Sequence, residues 1–202
     1  MIKVGITGGI GSGKTTLCKV WERLGARIVY ADTLAKHLME TDAGLHARIR
    51  KEFGSRAYHA DGSLNRKWLA EQAFEHGRVE VLNELVHPVV FREIDRVETQ
   101  ARQEEVPLFA REAALLLDQG RPPGLDYIVV VSAPENRRAE RVAERDAITP
   151  QQVRRRMERQ MAPSEMEKYA DIVVPNTGSL EELCKRAEVL YADLVSTDSC
   201  KD

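Results

Sequence analysis

Eight residues, Gly8, Gly9, Ile10, Gly11, Ser12, Gly13, Lys14 and Thr15, constrain this chain more than any others. They fit GxxxxGK[ST] and stand between a β-type run, Lys3 to Thr7, and the start of a helical pattern, the context in which such a loop can hold phosphate. Glycines let the backbone curl until successive N–H groups point at phosphate oxygens, and the N-terminus of the following helix adds a partial positive charge. Lys14, expected on an exposed loop, reaches the β- and γ-phosphates, and the Thr15 hydroxyl ligates Mg²⁺. Thr16 follows as a further nucleotide-binding position. The competing reading is a glycine-rich strand-to-helix turn that binds nothing, and position, spacing and flanks weigh against it together.

The rest of the chain alternates short β-type runs with helical patterns, the signature of βαβ units and a parallel sheet covered on both faces. The strand candidates are Lys3 to Thr7, Arg27 to Tyr30, Pro107 to Arg111, Tyr127 to Ser132 and Asp171 to Val174. Several are near-continuous apolar runs, as buried parallel strands require. The expected fold is therefore α/β: a doubly wound, five-stranded parallel sheet of the P-loop NTPase type. Capping chemistry marks helix starts at Thr149 with Pro150 and Gln152, and at Ser179 with Glu182. Leu180, Leu183, Ala187, Leu190 and Leu194 trace one face of a closing helix. The tail from Ser196 to Asp202 reads as polar and disordered.

Composition narrows the class. A chain of 202 residues, 43% hydrophobic and 31% charged with a net charge of −2, suits one compact globular body and gives no bulk attraction to nucleic acid. No apolar run of about 18 residues is present to span a membrane, and Met1 to Thr7 enters a strand pattern without a leader. The expectation is a cytoplasmic monomer with small-molecule ligands and neither nucleic-acid nor membrane partners. Cys18, Cys184 and Cys200 are too few and too scattered for a disulfide framework or a zinc site.

Two regions interrupt the alternation. Residues 33–103 read as mostly helical, including Asn65 to Phe74 and Val79 to Gln103, more than one crossover needs. The excess predicts a helical substrate-binding insertion, leaving the core at about 1–32, 104–136 and 170–195. His87 and Pro88 inside it mark a kink or a helix start, because the residue before proline avoids the α region. The second region, residues 137–169, carries eight arginines and reads as a lid.

A P-loop alone does not separate kinases from GTPases or motor ATPases. Asp32 follows the second strand at the carboxyl edge of the sheet, where doubly wound folds bind ligands. It either accepts the proton of an acceptor hydroxyl or caps a helix beginning near Thr33. Glu112 ends the third strand and either supports Mg²⁺ through water or is structural. Arg137, Arg141 and Arg145 recur every four residues on one helical face, with Glu140 and Glu144 beside them. That face is a clamp on transferring phosphate or a solvated salt-bridged helix. Arg154, Arg155, Arg156 and Arg159 extend the positive field.

The order of several stretches then becomes informative: GITGGIGSGKTT at the start, YAD at 30–32, FG and DGSLNR within 53–66, LVHP at 85–88, and ADIVVPNTGSLEEL near the end. Together, over about residues 2–195, they resemble the dephospho-CoA kinase family. The resemblance implies ATP-dependent phosphorylation of the ribose 3′-hydroxyl of dephospho-CoA, the last step of coenzyme A synthesis, with Mg²⁺ accompanying ATP. Asp32 matches the second aspartate of the family's DAD motif, its proposed base; Arg141 and Arg145 match lid arginines. Asn176 falls on the NxG near the adenine of ATP, and His87 on the HP of the CoA-binding helical region; on its own residues, a His beside proline reads as structural. Glu112 is included with His87 and Asp32 among the acceptor-side residues. Two positions depart from the pattern. Tyr30 replaces the first aspartate of DAD, and Glu112 to Asp118 stands where the family commonly has DxPLLFE, leaving a carboxylate at each end to support Mg²⁺. A nucleoside monophosphate kinase and a nucleotide-dependent switch are the alternatives; the latter would carry an [NT]KxD motif, which this sequence lacks.

Overall fold

The computed structural model describes residues 1–118, 120–158 and 160–198. Arg159, Cys200 and the end of the predicted tail lie outside the described residues. Five strands, β1 (Ile2–Thr7), β2 (Arg27–Tyr30), β3 (Leu108–Glu112), β4 (Tyr127–Ser132) and β5 (Ile172–Pro175), form one sheet in the order β2-β3-β1-β4-β5. Every pairing is parallel. The strand bounds match those read from sequence to within one residue. The register aligns Ile6 with Glu112 and Glu112 with Tyr30, so the β1, β2 and β3 ends lie in one row at the carboxyl edge.

Alternation along β4 shows why its interior, Ile128 to Val131, is apolar throughout. Val129 and Val131 join a core with Ile2, Val4 and Ile6 of β1. That core is closed by α1 (Lys14–Arg23) through Leu17, Val20 and Trp21, and by α9 (Leu180–Asp198) through Leu183, Ala187 and Leu194. Ile128 and Val130 point the other way, onto Leu117, Leu125 and Met166 of α8 (Pro163–Tyr169). Both faces are thus dry, and a polar residue on either would need its own partner. Trp21, fully buried, donates its indole N–H to the Ala187 carbonyl at 2.8 Å, tying α1 to α9. The Ser179 hydroxyl accepts the Glu182 N–H at 3.1 Å at the start of α9. That helix runs to Asp198, so Ser196 to Asp198 is helical rather than the start of a disordered tail.

The described residues divide into two compact units, one of residues 1–30 and 101–198 holding the sheet, the other of residues 31–100. The second is helical: α2 (Ala31–Thr41), α3 (Ala43–Phe53), α4 (Arg66–Ala70) and most of α5 (Val79–Gln103). The DGSLNR stretch is its turn chemistry. Asp61 accepts from both the amide and the hydroxyl of Ser63, and Asn65 caps α4 by accepting the Trp68 N–H. The helix predicted over Asn65 to Phe74 thus starts one residue later and passes into a π-helical turn over Glu71–Glu75. α5 has the predicted bounds, but His87 and Pro88 mark no helix start, because Pro88 lies inside it. Proline there removes only the N–H aimed at Glu84, and the helix continues on both sides, with Val86, Val89 and Val90 buried.

In the first unit, α6 (Glu135–Asp146) and α7 (Pro150–Met157) follow β4. Thr149 opens α7 with the predicted capping box. No helix among the described residues is long and apolar enough to cross a membrane.

Candidate active site

The turn between β1 and α1 is cradled from three sides. Lys14 is the first residue of α1, and only 8% of it is exposed, which corrects its expected place on an exposed loop. Its ammonium donates to the Gly8 carbonyl at 2.9 Å and the Gly9 carbonyl at 3.5 Å, and lies 3.9 Å from Glu112 Oε1. Its charge is thus fixed inside the turn, while Thr15 beside it is exposed. The Ser12 hydroxyl is buried without a protein partner.

Asn176, 5% exposed, follows β5 and donates Nδ2 to the Ser12 carbonyl at 2.7 Å. Gly13, at φ 106°, permits this approach: a Cβ there would stand 2.5 Å from Asn176 Nδ2, besides being strained in a left-handed backbone. The Ile10 amide donates to Gln160 Oε1 at 2.8 Å, and the Ile10 side chain packs on Ala139, Val142 and Val153 of α6 and α7.

The arginines of α6 divide by direction. Arg141 reaches the turn, with Nη1 3.4 Å from the Gly11 carbonyl and Nη2 3.4 Å from Asn176 Oδ1. Arg137 points to the Gly178 carbonyl at 3.4 Å. Arg145 is exposed and bonded to Asp146 at 2.7 Å, a carboxylate that Arg156 of α7 also engages at 2.8 Å. The carboxylate bonded to Arg145 is therefore Asp146 rather than Glu144. These bonds hold the Asp146 carboxyl below the usual carboxylate range, Arg145 contributing most. Arg138 was not singled out by the four-residue spacing. It is 5% exposed, donates Nε to the Ala133 carbonyl at 3.1 Å, and lies over Gly9, where a Cβ would collide with its guanidinium. Burial pulls its pKa below the ordinary arginine value, with Glu135 partly opposing.

Glu112 is the carboxylate brought beside Lys14; Asp118, at the other end of the departing segment, is exposed. Tyr30, in register with Glu112, stays a neutral phenol, its pKa pushed up first by burial and then by Cys18, Glu22 and Glu112. No group of three or more His, Cys, Asp and Glu able to hold a metal occurs among the described residues.

In the helical unit, Asp32 is exposed and is the second residue of α2. The helix starts at Ala31, so Asp32 is not the cap of a helix beginning near Thr33. His87 is half-buried in α5, its ring 5.7 Å from that of the exposed Phe91.

Comparison with known proteins places the chain in a family. The dephospho-CoA kinase family model matches residues 2–182. The chain belongs to the dephospho-CoA kinase family. As a member it is an ATP-dependent kinase of coenzyme A biosynthesis. Dephospho-CoA kinase of Salinibacter ruber is 46% identical over 192 residues, covering 95% of this chain and 96% of that one. That of Syntrophotalea carbinolica is 35% identical, covering 96% and 93%. A Thermus thermophilus protein of known crystal structure superposes with a TM-score of 0.78 at 32% identity, covering 96% of this chain and 97% of the other. Dephospho-CoA kinase from Campylobacter jejuni shares the fold, with a TM-score of 0.63 at 21% identity.

Proposed function

We propose that the chain transfers the γ-phosphoryl group of ATP to the ribose 3′-hydroxyl of dephospho-CoA, with Lys14 and the turn amides on the triphosphate and Asp32 accepting the hydroxyl proton. The observation that carries this reading is the fixing of Lys14 by the Gly8 and Gly9 carbonyls. A charge held in place by the backbone needs no reorganisation as charge develops on the transferring group.

The donor set beside Lys14 suits Mg²⁺, which takes one or two protein oxygens and keeps its waters. The exposed Thr15 hydroxyl and the Glu112 carboxylate would hold it, Glu112 through water. Bound there, Mg²⁺ supplies further neutralisation of the phosphate oxygens. Arg141 adds a donor at Gly11, and Arg145 does so once released from Asp146. Asn176 acts by holding the Ser12 carbonyl, and so the turn, as well as by its place near the adenine. His87, with Phe91 beside it, offers an aromatic surface to the acceptor's long arm, whose binding energy can be used for positioning. Asp32 begins the unit carrying that surface, and its role rests on the family pattern and its position two residues beyond β2. Action as a cytoplasmic monomer on small molecules alone completes the proposal.

The test is direct. Purified protein with Mg²⁺ and ATP should convert dephospho-CoA to CoA, with phosphate added at the ribose 3′ position by mass spectrometry. AMP and UMP should be far poorer acceptors. Brisk phosphorylation of a nucleoside monophosphate with no CoA formed would sink the reading.

A further inference from the structure

Arg138 is a buried guanidinium whose charge no described carboxylate meets. The residue is 5% exposed, and the hydrogen bond it makes, Nε to the Ala133 carbonyl at 3.1 Å, leaves the two terminal nitrogens without a partner among the described residues. Glu135, one turn back, acts on it only at longer range. Burying a cation without a counter-charge costs free energy, and an arriving anion would offset that cost. The other side of the guanidinium is the phosphate turn. A Cβ on Gly9 would stand 3.0 Å from Arg138 Cζ, so the group lies directly on the Gly9 backbone. Gly9 also offers Lys14 one of the two carbonyls that fix its ammonium. Two cations therefore flank one peptide, and Lys14 is the one whose type reaches the β- and γ-phosphates.

We propose that Arg138 is a second phosphate-binding residue, holding the γ end of the triphosphate across Gly9 from Lys14. The fork of an arginine suits this role, since it donates two parallel hydrogen bonds to phosphate oxygens. A γ-phosphate contact makes Arg138 a determinant of ATP over ADP. The Nε bond to Ala133 aims the group before nucleotide arrives, and the missing glycine side chain gives it room. This rests on reading the Gly8 to Thr15 turn as the ATP site.

The experiment compares Arg138→Gln with the unaltered chain in calorimetric titrations with two probes, Mg²⁺ with a β,γ-imido analogue of ATP and Mg²⁺ with ADP. The loss of a charge-assisted contact should weaken the analogue about ten- to a hundredfold and ADP less than about threefold. Arg138→Lys, which keeps the charge and loses the fork, should fall between and gives the same readout if the glutamine variant does not fold. Melting of the nucleotide-free glutamine variant should occur at or above that of the unaltered chain. If the ratio of analogue to ADP affinity is unchanged, the proposal is overturned, and Arg138 is a strut beneath Ala133. An unaltered chain that binds neither probe would instead defeat the reading of the turn as the ATP site.

Discussion

Lys14, the cation proposed to meet the phosphates, is also a buried piece of the fold. Its ammonium is fixed by the Gly8 and Gly9 carbonyls, and its stem is nearly covered. Lys14→Ala should therefore lower turnover by about a hundredfold or more and also lower the melting temperature, since the stem leaves a void and Glu112 loses a neighbour. Lys14→Met retains the stem, and should lose the activity with a smaller change in melting. A coupled ADP-release assay and thermal melts by circular dichroism check both; a methionine variant with near-normal turnover would remove Lys14 from the mechanism. Asp32 differs in each respect, being exposed and in the first turn of α2 without a capping bond. Asp32→Asn should leave melting unchanged and reduce turnover about a hundred- to ten-thousandfold, the usual cost of losing a general base, with ATP affinity kept. Unchanged turnover would require another base.

At the scale of the element, α6 is a helix whose arginines serve different ends although they share one sequence spacing. Arg141 touches Gly11 and Asn176, whereas Arg145 is paired at the surface with Asp146, which also bonds Arg156 across the α6–α7 junction. Arg141→Ala should weaken ATP binding as well as turnover, because it loosens the turn itself. Arg145→Ala should reduce turnover at a structural cost below about 1 kcal/mol, since exposed pairs contribute little. Steady-state kinetics on both single variants and the double decide the matter. Normal kinetics in all three would return α6 to a solvated, salt-bridged helix. The signal that would have found Arg138 is its position one residue, or about 100°, round the helix from Arg137. That offset carries it off the charged face, towards Ala139 and Val142, both buried.

At the scale of the whole molecule, acid stability follows from the shifted carboxyls. Hydrogen bonds from Arg145, Ser63 and Arg96 hold Asp146, Asp61 and Glu93 respectively below the usual carboxylate range. A carboxyl with a depressed folded-state pKa stabilises the fold above its unfolded value near 4, and that contribution fades as pH falls through the lower folded value. Asp118, raised by partial desolvation although its residue is exposed, works in the opposite sense and partly offsets them. Melting temperature should therefore be flat from about pH 7 to 5 and fall below about pH 4. Asp146→Asn should flatten that limb, and scanning calorimetry across the range reads it. An acid limb identical in the variant would mean that the Asp146 contacts do not contribute.

Local chemistry determined much of this protein. GGIGSGKT between an apolar strand and a helix sets a tight strand-to-helix turn, near-continuous apolar runs set five parallel strands, and Thr149, Pro150 and Gln152 set a helix start, because each depends on neighbours a few residues away. The order of the later stretches, from YAD to NTGS, carried the family. Tertiary structure decided what depends on residues far apart. Asn176 meets the Ser12 carbonyl across 164 residues, and Gln160 meets Ile10 across 150. The burial of Lys14, the seat of Arg138 on Gly9 and the choice of Glu112 over Asp118 beside Lys14 all arise where β1, β3 and α6 converge. No periodicity within one element can report such convergence, since spacing fixes the face a side chain takes and not what that face will meet.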